Sequence, residues 1–280
     1  MNVVRTDLAL ARRLERAEAS ANAAFVTARA ALAAGVGAGW TEVAGTWAMF
    51  DGVGSPITQT FGFGLFAPAD AASLDALEAF FDARGADVHH EVSPLADPAH
   101  LALLADRGYR PVEQSTVLHQ PLPAPPPARP PRAGAPAARP IRPDERARWA
   151  ELSAGGWAES PEAAAFMRDF GAVTARAEGM VCFVAEIDGT PVGAGAVALH
   201  GGVAVLAGAS TLPAWRGRGA QGALLAARLA YAAERGCALA MMTAAPGSTS
   251  QTNAERAGFR IAYTRTKWAR AARPVSAASS

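Results

Sequence analysis

Arg216-Gly217-Arg218-Gly219-Ala220-Gln221-Gly222 is the part of this chain best suited to chemistry. An apolar run over residues 203–211 precedes it and reads as a buried strand. Leu224, Leu225, Ala227, Arg228, Leu229 and Tyr231 follow it at helical spacing. Pro213 breaks the strand, and the glycines form a loop that enters the helix. Glycines let successive backbone N–H groups converge on one point, and a helix N-terminus adds partial positive charge there. With two arginines alongside, such a loop is built to hold an anion of pyrophosphate size. A P-loop is excluded, because Ala220-Gln221 stands where Lys-Ser/Thr is required. The dinucleotide fingerprint, with its set glycine spacing and following acidic residue, is also not in place.

The segment resembles motif A of the GCN5-related N-acetyltransferases (the GNAT superfamily), whose pattern is Arg/Gln-x-x-Gly-x-Gly/Ala. It departs only at Gln221, where a small residue is usual. Pro213 and Trp215 stand where that family commonly has a proline and an aromatic. Residues 237–243 read as a buried strand, and Pro246-Gly247-Ser248-Thr249-Ser250 as a turn with N-cap residues. A short helix over 251–256 ends at Ala257-Gly258-Phe259, with Gly258 in the C-cap role, and 261–268 is the closing strand. This succession resembles motif B of the same family. Upstream, strands at 180–187 and 192–199 flank an Asp188-Gly189 hairpin turn. The resemblance spans residues 140–270 and implies an α/β fold, a mixed, mostly antiparallel sheet flanked by helices.

The resemblance also implies acetyl-CoA as co-substrate and an N-acetyltransferase reaction. Backbone N–H groups of Gly217, Arg218, Gly219, Ala220, Gln221 and Gly222 are expected to hold the pyrophosphate, with charge from Arg216 and Arg218. Ala209, Ser210 and Thr211 match the strand end that pairs with the pantetheine arm and polarises the thioester carbonyl. Ser250 and Asn253 match the helix start near the CoA sulfur. Many members place a Glu on the strand before motif A and a Tyr four residues ahead of the motif B glycine. Here residues 203–209 hold no carboxylate, and Ala254 is at the tyrosine position. Ser250 and Tyr263 are the candidate catalytic replacements. Ser250 reads equally as an N-cap, and Tyr263 as an ordinary half-buried strand aromatic.

Other polar groups read more simply. Glu186 and His200 fall at hairpin ends and read as surface residues. His89 and Glu91 share one strand face and His90 the other, which suits substrate contact. No three or four ligands converge in sequence, so no metal is expected. Trp47, Met49, Phe50, Asp51 and Trp157 are candidates for an acceptor pocket, and equally for core packing.

The chain has 280 residues, is 50% hydrophobic and carries a net charge of +1. That balance gives no broad field for nucleic acid, and there is neither a basic stripe nor an acidic cluster for a polycation. The expected acceptor is the amine of a small molecule, served by a monomer or homodimer. Lys267 is the only lysine, which with the many alanines reads as codon bias. Cys182 and Cys237 lie in expected buried strands and read as small core residues. No apolar run is long enough to span a membrane, and charges interrupt any N-terminal leader pattern, so a cytoplasmic location is expected.

Nine prolines within residues 121–140 mark a semi-rigid tether. The segment before it repeats the later half: helix 74–83, strand 88–93, a helix opening at Asp97-Pro98 and closing at Gly108-Tyr109, and strand 113–120. A strand over 57–66 takes the place of 203–212. Where the Arg/Gly loop would be, residues 66–73 hold no glycine, and Asp70 opposes an anion. The expected organisation is two GNAT-like domains: a degenerate one at 1–122, a linker at 123–139, a catalytic one at 140–270 and a disordered tail at 271–280. The first is expected to shape the substrate pocket or to cover hydrophobic surface. A CoA-binding regulatory or partner-binding protein without turnover is the alternative function.

Overall fold

The computed structural model describes residues 6–122 and 134–273. Two compact units emerge, Met1–Gln120 with Thr243–Ser280, and Pro121–Met242. Most of the expected linker, residues 123–133, and most of the expected tail, 274–280, lie outside the described residues.

The first unit begins with α1 (Leu8–Leu32), capped by Asp7, whose carboxylate accepts the Leu10 N–H at 2.8 Å. Leu10, Leu14, Ala17, Ala21 and Phe25 bury one face of it. Then come β1 (Gly39–Val43), β2 (Thr46–Phe50), β3 (Gln59–Phe61), α2 (Ala71–Asp82), β4 (Val88–Val92), α3 (Ala99–Asp106) and β5 (Arg110–Pro121). The expected strand over 57–66 is thus shorter. Gly62 and Gly64 take φ of +83° and +69°, which ends the strand and starts a turn.

The second unit holds β6 (Ala137–Pro140), α4 (Arg146–Gly155), α5 (Pro161–Thr174), β7 (Met180–Ile187), β8 (Thr190–His200), β9 (Val203–Thr211), α6 (Ala220–Glu234) and the start of β10 (Leu239–Ala244). Its strand order is β10-β9-β8-β7-β6. β9 and β10 are parallel and joined through α6; the other pairs are antiparallel. The β7–β8 hairpin turns at Asp188 and Gly189, as their sequence suggests, with φ of +49° and +75°. β6 occupies the end of the expected tether and pairs with β7. Trp149 of α4 anchors the helix to the sheet by donating to the Phe183 carbonyl at 2.8 Å.

α7 (Thr249–Arg256) and β11 (Arg260–Arg270) follow, and both pack with the first unit. β11 lies between β4 and β5, antiparallel to each, in the order β1-β2-β3-β4-β11-β5. Here β3 and β4 are the parallel pair, joined through α2. Each unit therefore contains one β-α-β crossover, the repeat the sequence suggests. Residues 271–273, expected in the tail, are held in place. Ala272 N–H donates to Asp87 at 2.9 Å and Arg273 N–H to Asp82 at 3.0 Å.

Arg265 of β11 is almost fully buried and meets Glu15 at 3.2 Å, Glu18 at 2.8 Å and Glu91 at 3.3 Å. With Lys267 3.4 Å from Glu91, two cations meet three carboxylates, and one negative charge is left unbalanced. Burial, opposed by Arg265 and reinforced by Glu18, pushes Glu15 up to about 7, and Tyr263 donates to it at 2.9 Å. The folded state thus binds this proton more tightly than the unfolded chain. The stability it contributes is present below pH 4.5 and lost as pH rises towards about 7. Glu15→Gln is expected to flatten that decline, so its stability relative to wild type rises across this window. Urea unfolding of both proteins at several pH values checks this; parallel profiles contradict it.

Candidate functional site

The site begins with an irregularity in β9. Ala196 pairs with Ala207 and Ala194 with Ser210, so Gly208 and Ala209 stand opposite Gly195 alone. This is a β-bulge, and Gly208 takes φ +58° within it. β9 pairs with β10 only over residues 203–205. Beyond them the β10-side edge of β9 is open, as a ligand carrying amides requires. The side chains at this strand end are engaged. Ser210 Oγ donates to the Ser153 carbonyl at 3.0 Å, and Thr211 Oγ1 accepts from the Gln221 side-chain amide at 2.9 Å. Gln221, unusual in its motif position, therefore ties the helix start to the strand end. Ala209 is exposed, and the strand end offers its backbone to a ligand.

Residues 213–215 make one tight turn, and Gly217 and Gly219 follow with φ of +77° and +87°. Gly219 is the N-cap of α6 and brings no side chain to cap it. The first bond into the helix is Ala223 N–H to the Gly219 carbonyl, at 3.1 Å. Among the described residues, the N–H groups of 217–222 have no acceptor. Arg218 lies over the Trp215 ring at 4.8 Å. Arg216 donates to Glu159 at 2.8 Å and to the Gly156 carbonyl at 2.9 Å, with its side chain 47% exposed.

The corresponding helix of the first unit is closed. At the start of α2, the Asp70 carboxylate accepts the Ser73 N–H at 2.7 Å and the Ser73 hydroxyl at 3.2 Å. These bonds hold Asp70 below its ordinary range. An ionised carboxylate already occupies the place an anion would take.

The acid–base candidates fare differently. Ser250 and Asn253 are exposed on α7. The cap of α7 is Ser248, which accepts from Gln251 N–H at 3.2 Å, so the N-cap reading of Ser250 is corrected. Ala254 is buried. Tyr263 is only 6% exposed, and burial raises its phenol well above the ordinary range. Its hydroxyl is committed to Glu15, a partner on α1 that the sequence did not reveal.

His90 is buried between Thr60 at 2.7 Å and Tyr109 at 3.2 Å, and burial lowers it to about 3. His89 borders a groove of about 490 Å³ in the first unit, beside Lys267 and Glu113. Burial and then the Lys267 charge lower its pKa. Glu186 is bound by Arg139 at 2.8 Å, and Asp51 by Arg29 at 2.8 Å. Met49 and Phe50 are core residues, Trp47 stacks on Trp40 at 5.0 Å, and Trp157 is exposed. Among the described residues no group of three or more His, Cys, Asp or Glu could hold a metal ion, and no helix is long and apolar enough to cross a membrane.

Residues 144–259 match the family model described as the Acetyltransferase (GNAT) family. Among solved structures, the chain is similar to a GCN5-related N-acetyltransferase from Kribbella flavida, at 20% identity over 88% of this chain and 95% of that one, with a TM-score of 0.59. A second, from Sphaerobacter thermophilus, shares 22% identity over 77% of this chain and 72% of its own, at TM-score 0.54. A tandem GNAT protein from the clavulanic acid biosynthesis pathway shares 18% identity over 82% of this chain and 79% of its own, at TM-score 0.55. At such identities the likeness is one of fold. No curated protein matches the sequence. The chain thus carries a GNAT acetyltransferase family domain at residues 144–259, on a fold it shares with a tandem GNAT protein.

Proposed function

We propose that this protein is an acetyl-CoA-dependent N-acetyltransferase that passes the acetyl group directly to the amine of a small molecule. The observation that carries this is the uncapped, glycine-bent start of α6 beside a strand end opened by a bulge. The N–H groups of residues 217–222 hold the pyrophosphate, and Arg216 and Arg218 add charge. The backbone of Ala209, Ser210 and Thr211 takes the pantetheine arm. The family resemblance adds Asn253 for the cofactor and Ser250 for protonation of the leaving thiolate. Residues 140–270 are the catalytic domain in sequence, and 1–122 a degenerate GNAT-like domain whose helix end Asp70 has closed.

Acetyl-CoA supplies an activated acyl group. The acceptor nitrogen must arrive neutral, since an ammonium has no lone pair. A C–N bond forms as the C–S bond breaks, the amine proton passes to water, and CoA leaves as a thiolate that takes up a proton. A net charge of +1 supports a small acceptor rather than a polyion.

Gly222→Asp tests the cofactor assignment. A Cβ at Gly222 meets nothing within 4 Å, and its φ carries no strain. An acidic side chain in the first helical turn favours the helix by about 0.3–1 kcal/mol. The variant is expected to keep or raise its Tm while losing acetyl-CoA binding in calorimetry. Retained binding contradicts the assignment. Gly219→Asp is a poorer probe, because φ is +87° there.

The rate of thiol release is expected to rise with pH towards the acceptor's own pKa, because no carboxylate lies on the strand before the loop. Ser250→Ala should slow release by about 100- to 10,000-fold at every pH. A step near pH 7 that Glu15→Gln abolishes would contradict transfer without a dedicated base. Acetyl-CoA binding with no release across a panel of amines would instead mark a CoA-binding protein without turnover.

A further inference from the structure

Arg228 projects from the middle of α6 into the second unit's interior and is 4% exposed. Its partners are main-chain carbonyls. Nε donates to Leu224 at 3.1 Å, and Nη1 to Ala196 at 3.0 Å and Ala207 at 3.3 Å. Among the described residues no carboxylate pairs with it. Burial pulls its pKa down to about 10, so it remains a cation at neutral pH. Gly195 makes room for it: a Cβ there would lie 3.2 Å from the Arg228 Cζ.

Such a group is expensive. An apolar side chain would fill the same space without desolvating a charge, so packing alone gives no reason for an arginine. What distinguishes the position is the carbonyl it reaches. The Ala207 oxygen and the Gly208 N–H belong to one peptide unit, and Gly208 is the exposed residue that the bulge turns outward. A cation bonded to the oxygen draws charge through the amide and makes that N–H a stronger donor. The same guanidinium holds Ala196 opposite, so it fixes both strands where their register shifts.

We propose that Arg228 is a positioning residue for acyl transfer. It pins the Ala207–Gly208 peptide at the bulge and lends its charge to the backbone donors that polarise the thioester carbonyl. This rests on the reading of the site given above. The sequence signal was a single arginine in an otherwise apolar helical stripe.

The test is infrared difference spectroscopy of the full chain with acetyl-CoA carrying a ¹³C thioester carbonyl, alongside calorimetry and thermal unfolding. In wild type the bound carbonyl band is expected below that of free acetyl-CoA. Arg228→Met should lose most of this shift and slow thiol release by about 10- to 100-fold. Its acetyl-CoA Kd should stay within about threefold, which separates loss of the shift from loss of the cofactor site. Arg228→Lys keeps the charge and should keep part of the shift. Gly195→Ala crowds the guanidinium without discharging it and should move the band towards the free value. An unshifted band in wild type, or a full shift in Arg228→Met, overturns the inference. If Arg228→Met does not fold, a full shift in Gly195→Ala overturns it. Absence of acetyl-CoA binding by wild type would overturn the cofactor reading and this inference together, whereas binding without the expected shifts would overturn this inference alone.

Discussion

Where β8 supplies only Gly195, β9 supplies Gly208 and Ala209, and the geometry of the second unit's site follows from that mismatch. The extra residue bends the strand, whose pairing with β10 covers residues 203–205. Beyond the bend, Ser210 is tied to α4 and Thr211 to α6, so the chain enters the Pro213 turn on a fixed course. The loop glycines then deliver the start of α6 with its N–H groups uncapped. The open strand edge flanks the bulge, and the open helix end follows from Gly219 at the cap position. A bulge needs something to hold it, and Arg228 is bonded to carbonyls on both strands at that point.

The two units share a β-α-β crossover and differ in what meets the start of its helix. In one, Asp70 satisfies the first turn from within. In the other, a glycine with positive φ leaves the turn unsatisfied. A side-chain-capped helix end is the more stable arrangement, though over a glycine cap only by about a few tenths of a kcal/mol. The uncapped end retains its capacity for an anion from solution. The first unit has instead concentrated its charge inside, where Arg265 links α1, β4 and β11 through Glu15, Glu18 and Glu91.

Legibility in the sequence followed the range of the interaction. Asp188-Gly189 and the loop glycines announce turns through their own backbone preferences, and both fall where expected. Long apolar runs such as β7 and β9 are equally local signals. α1 is poorly legible because much of its buried face is alanine, which gives little hydrophobic contrast, and because it carries the buried Glu15. The shortening of β3 depends on two glycines whose positive φ the flanking apolar residues mask. Ser248 and Ser250 are both plausible caps by composition, and only the backbone at Ser248 decides between them. Tyr263 reads as a cleft residue until its partner, far away in sequence, is known. The place of β11 between β4 and β5 is a pairing choice that no local pattern encodes.

The most direct test of the account is a crystal structure of the full chain grown with acetyl-CoA. The pyrophosphate is predicted to accept bonds from N–H groups within residues 217–222, with pantetheine amides along Ala209 to Thr211 and the thioester carbonyl at the bulge. A cofactor seated elsewhere, such as against the Asp70-capped start of α2, or a bound cofactor that leaves the 217–222 amides without acceptors, would contradict it.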